Sequence, residues 1–506
     1  MNQDKAEAAV ERLVRRIEEV NGKFLEMMGA RIKDVGEMSV TDAHRLIGMR
    51  EYGADVDELT RELARITDKN TDEIHELYEA MAKQDYDFAE RFYQARGKTH
   101  IPFEENETLR RFVDTVAETT AATYRNMSRS TAFQIPDGKG GMKLSSLAEV
   151  YNEVMDKAVT AVTTGQGDYM SEMRDVMTAL ADSGIRTVYT EGRGGLAADY
   201  ASGYSRRLDT AVRQNLLWGV KQCAVGTQER IAADIGADGY EVDYHRNPRP
   251  SHAPMGGVMF AIGEAREVNG KWYESFEEKA LPFLEEYGCL HFATAVVLGV
   301  SEPRYDEEEL AKWKAEDAKT FTFEGKEYNG YEATQAQRKL EARIRNRKDR
   351  VKMAESAGDV EKARVEQMGL NQTVQKYGEF SKAAGLRTKY ERMYVAGYHP
   401  VSVVDASFAK LRRVTTSNGI KIQDISNHTM QRAAERKITG DDVLNALTKP
   451  LNIGKIITDS EGRNSQRFIG EFSTVNINPD TGVISTIWKT SSKLVEKYKG
   501  GNKHEN

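Results

Sequence analysis

Two cysteines in 506 residues, Cys223 and Cys289, are too few for a disulfide framework, and reduced thiols are the expectation. Proline is scarce, with 10 in all. That suits long helices, because proline removes a backbone donor and clashes with the preceding turn. No run of about 18 apolar residues occurs, so no membrane-spanning helix is expected. The opening segment, MNQDKAEAAVERLVRRIEEV, is charged throughout and has no apolar stretch, so no signal peptide is expected.

Charge is what the chain has in quantity. Asp, Glu, Lys and Arg make up 30% of it, and the mean hydropathy is −0.62. Such a balance fits long solvated helices better than one large core. At roughly 100–200 residues per domain the length allows about three units. The formal charge of −7 is unevenly spread. Residues 415–506 carry 13 Lys and Arg against 10 Asp and Glu, so a mildly basic tail follows an acidic carrier. That asymmetry hints at a tail facing nucleic acid, and chance variation explains it equally well.

Residues 1–135 read as amphipathic helices. Val10, Leu13, Val14, Ile17 and Val20 fall at helical spacing. Ser39-Val-Thr-Asp42 and Thr71-Asp-Glu-Ile74 look like helix starts. Pro136, Gly138, Gly140 and Gly141 break the pattern and predict a loop or hairpin. Helical patterning returns over 144–181 and again over about 196–236. At Gly239 the texture changes to short β-branched and aromatic runs, with Asn269-Gly270 as a hairpin turn. Residues 306–390 are helical and highly charged, with a small hairpin at Glu324-Gly325-Lys326-Glu327 and a helix break at Gly358. A solvated helical hairpin is the plain reading of this arm. Its basic residues could touch packaged DNA, although acidic residues interleave. After a stretch at 391–420 with Gly397, Pro400 and Gly419, two helices (422–437 and 439–447) precede four strand-like runs.

The segment from Tyr244 to Phe260 contains Arg249-Pro250-Ser251-His252 and Gly257, and Gly288-Cys289-Leu290-His291 follows. His252, Cys289 and His291 could supply three of four zinc ligands, with His245 or solvent as the fourth. Their spacing is not a known zinc signature, and a hydrogen-bonded turn locking a small domain accounts for them as well. These segments, with Pro303–Leu310 and Tyr331-Glu-Ala-Thr-Gln-Ala-Gln-Arg338, resemble the phage minor capsid protein 2 family and the MuF-like head morphogenesis proteins. The resemblance spans about residues 5–395. The family usually has Asn-Cys-Arg-His where this chain has Gly-Cys-Leu-His, so a role needing that arginine does not carry over.

In the tail, His428, Arg432 and Arg436 lie at i, i+4, i+8, stacked along one helical face. Lys455, Arg467, Thr486, Lys489 and Thr490 fall on the strand-like runs. Metal-free RNA cleavage needs a base for the 2′-OH, a cation for the phosphate and an acid for the leaving oxygen. Histidine transfers protons near neutral pH, and arginine grips phosphate in a planar fork. The helix, the Lys449-Pro450 break and the Asn478-Pro-Asp-Thr-Gly482 hairpin resemble the phage barnase–EndoU–colicin–RelE-like nucleases over about 421–495. The resemblance implies a ribonuclease acting on tRNA or another structured RNA. It makes His428 the proton-transfer residue, puts Arg432 beside it, gives phosphate to Arg436 and Lys455 or Arg467, and lines the site with Thr486 and Thr490.

The expected fold is mainly α with two small α+β parts. A helical minor capsid region covers 1–238, a MuF-like α+β module 239–305, the helical arm 306–390, a linker 391–420 and an RNase-like α+β domain 421–500. The expected role is a minor structural protein of a tailed-phage head, near the portal, with a ribonuclease effector at its end. The alternative is a capsid protein whose last domain only binds nucleic acid or is inactive. No cofactor is called for and no metal is assigned. Expected partners are the portal, other capsid proteins, packaged DNA, RNA and an immunity protein. The expected location is the virion, after assembly in the host cytoplasm.

Overall fold

Apolar residues recurring every three to four positions close into helices over the first quarter of the chain. The computed structural model describes residues 3–43, 53–137, 139, 141–164, 169–188, 205–401, 408, 410–436, 438–459 and 461–500. The expected helix over 196–204 and the glycines at 138 and 140 lie outside them. Two compact units result, one made of Met1–Ala342 and Tyr377–Gly397, the other of Arg343–Lys376 and Tyr398–Asn506.

In the first unit, α1 (Gln3–Gly36), α2 (Gly53–Phe88), α3 (Glu107–Arg129), α4 (Leu147–Thr164), α5 (Tyr169–Ser183) and α6 (Leu208–Ile235) carry the main core. α6 is buried over most of its length and packs against α1, α2 and α3. Small residues let these helices approach closely. A Cβ at Gly226 would meet the Phe112 ring at 2.1 Å. Asn70 links three helices: its Nδ2 donates to the Leu13 carbonyl (3.1 Å) and to the Tyr124 hydroxyl (3.0 Å). Thr71, expected to start a helix, lies inside α2. Its hydroxyl donates back to the Thr67 carbonyl (2.9 Å), the bond threonine makes within a helix when it is not capping one. Ser39 does cap, accepting from the Asp42 backbone N–H at 3.2 Å.

The break at 136–141 is a hairpin. β1 (Thr131–Pro136) pairs antiparallel with β2 (Met142–Ser146), in a sheet of order β2-β1-β3-β4 with β3 (Arg186–Val188) and β4 (Ser205–Arg207). The strand-bearing module begins at β5 (Gly239–Val242), the centre of a sheet between β6 (Met259–Ala261) and β9 (Ala293–Val296). β7 (Arg266–Val268) and β8 (Lys271–Tyr273) form a hairpin whose turn residues Asn269 and Gly270 take positive φ, as the Asn-Gly signal predicts. α7 (Glu307–Asp317) follows, capped by Asp306, then the hairpin of β10 (Phe321–Phe323) and β11 (Lys326–Tyr328). α8 (Gly330–Ser356) and α9 (Val360–Ala383) are separated at Gly358, whose φ of 72° glycine adopts without penalty. Both helices contribute residues to each unit.

The second unit contains an α+β domain. β12 (Asp424–Ile425), α10 (Asn427–Glu435), α11 (Gly440–Thr448), β13 (Asn452–Ile453), β14 (Ile457–Thr458), β15 (Asn464–Ile469), β16 (Ser473–Asn478), β17 (Val483–Lys489) and α12 (Ser492–Gly500) follow in order. The sheet runs β12-β17-β16-β15-β13, antiparallel except that β12 pairs parallel with β17; β14 adds to β15. Its core joins Met430, Val443, Leu447, Phe468, Val475, Ile477 and Ile487 with Met368, Phe408 and Leu411. The segment expected as a linker therefore supplies core residues here. Thr439 and Asp442 form a reciprocal capping box at the start of α11.

Candidate functional site

In the tail, alternation along three strands separates two faces. Phe468, Val475 and Ile487 point into the core. One position along, the register sets Arg467 opposite Asn476 and Asn476 opposite Thr486, with Thr474 opposite Trp488. These side chains share the opposite face. The Arg467 guanidinium lies 5.2 Å from the centre of the Trp488 ring. Asn476 keeps a buried Oδ1 with no hydrogen-bond partner. Thr490, just past β17, pairs its hydroxyl with that of Thr474 at 2.9 Å. Sequence reading picked out Arg467, Thr486 and Thr490 but passed over Asn476 and Trp488, which the alternation in STVNIN and VISTIWKT already put on their face.

α10 lies along β17. Ser426 caps it, accepting from the Thr429 N–H, and the Ser426 N–H and the Thr429 hydroxyl both donate to the Ile484 carbonyl. Arg436 spends one N–H on the Ile487 carbonyl (3.0 Å), so that guanidinium ties the helix end to the strand. Arg432 is half-buried. His428 is exposed and makes no hydrogen bond to a described residue. Lys455 and Lys489 are also exposed; Lys455 follows Gly454, whose N–H donates to the Arg467 carbonyl. The structure thus gathers Arg467, Thr486 and Thr490 on one sheet face and sets His428 and Arg432 on the helix beside β17.

The first unit holds a second cluster. Asp243 directly follows β5; its Oδ1 accepts from the Phe292 N–H (2.7 Å) and its Oδ2 meets His245 Nε2 (3.0 Å). The His245 ring stacks on His291 with centroids 4.0 Å apart. His252 comes from the turn after Arg249, and Cys289 follows Gly288, which takes a φ of 84°. His252, Cys289 and His291 are each 3–4% exposed, and one donor atom from each lies within 4.8 Å of the other two. His245 is not in that group. Cys289 Sγ is 3.6 Å from His291 Nδ1, while His291 Nε2 is buried without a partner. Burial, reinforced by His245 and His252, drives the His291 imidazole down to about 2, so it is neutral. Burial also lowers His252, although Glu286 accepts at 3.2 Å from its Nε2. Lys221, from α6, is buried beside Cys289 and donates to the Leu284 carbonyl; burial lowers its pKa. Lys221 was not legible in sequence, because nothing local ties it to Cys289, while Glu286, three residues before Cys289, was passed over. The cluster lines a cleft of about 800 Å³ whose wall also carries Arg249, Arg338 and Arg387.

Residues 1–381 match the sequence model of the family described as phage minor capsid protein 2. No curated protein and no solved structure matches the chain.

Proposed function

This chain belongs to the phage minor capsid protein 2 family and is a structural protein of the phage head, and on that premise we propose that it sits near the portal and carries an RNA-cleaving domain at 421–500. Its place in the virion and its partnership with other capsid proteins follow from the family. The portal placement rests on the likeness of the 244–291 segments to head morphogenesis proteins. Assembly in the host cytoplasm, contact with packaged DNA through the charged arm, and an immunity protein that restrains the tail belong to the same reading.

The observation that carries the RNA-cleaving proposal is the polar sheet face of Arg467, Asn476, Thr486 and Trp488 on a domain of three helices and a mostly antiparallel sheet. An arginine stacked on an indole offers a cation for phosphate and a platform for a base. Thr486 and Asn476 add hydrogen-bonding groups. In the proposed step the 2′-oxygen attacks phosphorus, its proton passes to His428, and the 5′-oxygen leaves with a proton returned by the imidazolium. The products are a 2′,3′-cyclic phosphate and a 5′-hydroxyl. No metal enters the step.

The test uses the purified full chain with a tRNA pool in EDTA. Cleavage is expected, and His428→Ala should slow it by about 10²-fold or more. Arg467→Ala should weaken both binding and cleavage. Intact RNA with the wild-type chain overturns the nuclease reading. One observation favours binding without cleavage: His428 stands exposed, with no hydrogen bond from a described residue to orient the ring. Salt-sensitive RNA affinity without cleavage would select that reading.

A further inference from the structure

The buried His252, Cys289 and His291 have no part in the RNA-cleaving reading, and capsid assembly does not by itself call for them. We propose that these three side chains bind one tetrahedral divalent cation of the zinc type, with the fourth position facing the cleft. Sulfur and imidazole nitrogen are the donors zinc favours, and three protein ligands plus an open position is a standard zinc arrangement.

The geometry fits. Zinc bonds of about 2.3 Å to sulfur and about 2.0–2.1 Å to nitrogen, at a tetrahedral angle, put the two donors about 3.6 Å apart. Cys289 Sγ and His291 Nδ1 are 3.6 Å apart. All three residues are nearly inaccessible, which holds the donors in place without solvent competition. The outer contacts are those of a metal site. The Glu286 carboxylate meets His252 at Nε2, 3.2 Å away, and so leaves Nδ1 to face an ion. A carboxylate behind a ligating histidine fixes the ring and its tautomer in this manner. His291 is locked by the stacked His245, which Asp243 orients. The protein groups give His291 Nδ1 only a thiol contact, which an ion between that nitrogen and Cys289 Sγ would replace with two metal bonds. Binding exchanges the Cys289 S–H bond for a sulfur–metal bond and releases one proton to solvent. The rival arrangement is a Cys289 thiolate paired with the Lys221 ammonium and no metal.

The experiment uses the full chain stripped of metal and loaded with Co²⁺, then Zn²⁺. Expected are one equivalent bound, a thiolate-to-cobalt charge-transfer band, release of about one proton, and displacement of cobalt by zinc. Cys223→Ser should keep the band and Cys289→Ser should lose it. Glu286→Gln changes a partly exposed side chain, so folding is spared; it should weaken zinc binding about 10- to 100-fold. A folded wild-type chain that binds less than about a tenth of an equivalent, or shows no charge-transfer band, overturns the proposal in favour of the Lys221 pair. So does metal uptake that Cys289→Ser and His252→Asn both leave unchanged. Should Cys289→Ser fail to fold, the band in Cys223→Ser still assigns the sulfur, since the chain has only two.

Discussion

Trp488 sits on the sheet face away from the core with Arg467 across its ring. Stacking of a base on an aromatic ring is worth about 1–3 kcal/mol. Trp488→Ala should therefore weaken single-stranded RNA binding by about that amount in a fluorescence titration, with the fold intact by circular dichroism. At the other end of the chain, Glu62 accepts from Lys23 and Arg65, and these hydrogen bonds lower its pKa to about 2. A carboxylate depressed on folding adds stability above its ordinary pKa of 4.5, and that stability is lost as pH falls from there toward 2. Both cations are exposed, so screening keeps the contribution to about 1 kcal/mol or less. Glu62→Gln should flatten the acid limb of the stability–pH curve by that amount in urea titrations, and added salt should shrink the difference. Residue-level chemistry was partly legible. Two histidines and a cysteine in one short module marked a candidate centre. The carboxylate and amine beside it come from Glu286 and from Lys221 on a separate helix, and only the fold brings the latter to Cys289.

At the scale of elements, Gly482 shows how a turn holds an edge. It has a φ of 68°, and a Cβ there would lie 2.2 Å from the Lys421 carbonyl oxygen. Its own carbonyl accepts from the Gln423 N–H just before β12. Gly482→Ala should cost about 2 kcal/mol or more by chemical denaturation, from left-handed strain plus the clash. The Asn478-to-Gly482 hairpin and the Asn269-Gly270 turn were readable because their chemistry is local. So were the long helices, whose periodicity spans many turns. β12 was not, since two residues paired in parallel with a distant strand leave no periodic trace. Thr71 was misread because a threonine before acidic residues looks the same at a helix start and in mid-helix; only the chain around it decides.

For the whole molecule, membership of a capsid family sets the broadest expectation. Mass spectrometry of gradient-purified virions should find the chain in every preparation, at few copies relative to the major shell protein. Its absence from purified particles would contradict a structural role. A mainly helical carrier with an α+β tail was legible from the change of texture along the chain. The division of α8 and α9 between two units was not, because a charged helical hairpin has the same pattern whether its residues serve one core or two.

Met368 lies in α9, yet its side chain belongs to the core beneath the sheet of Arg467 and Thr486. A protease that nicked the chain after Gly397 would break the covalent tether and leave this apolar plug in place. A tail fragment released by such a cut would shed a buried methionine and uncover apolar surface as it departs, because residues 343–376 belong to its unit. The unit that packs as a whole is larger than the domain proposed to cleave RNA.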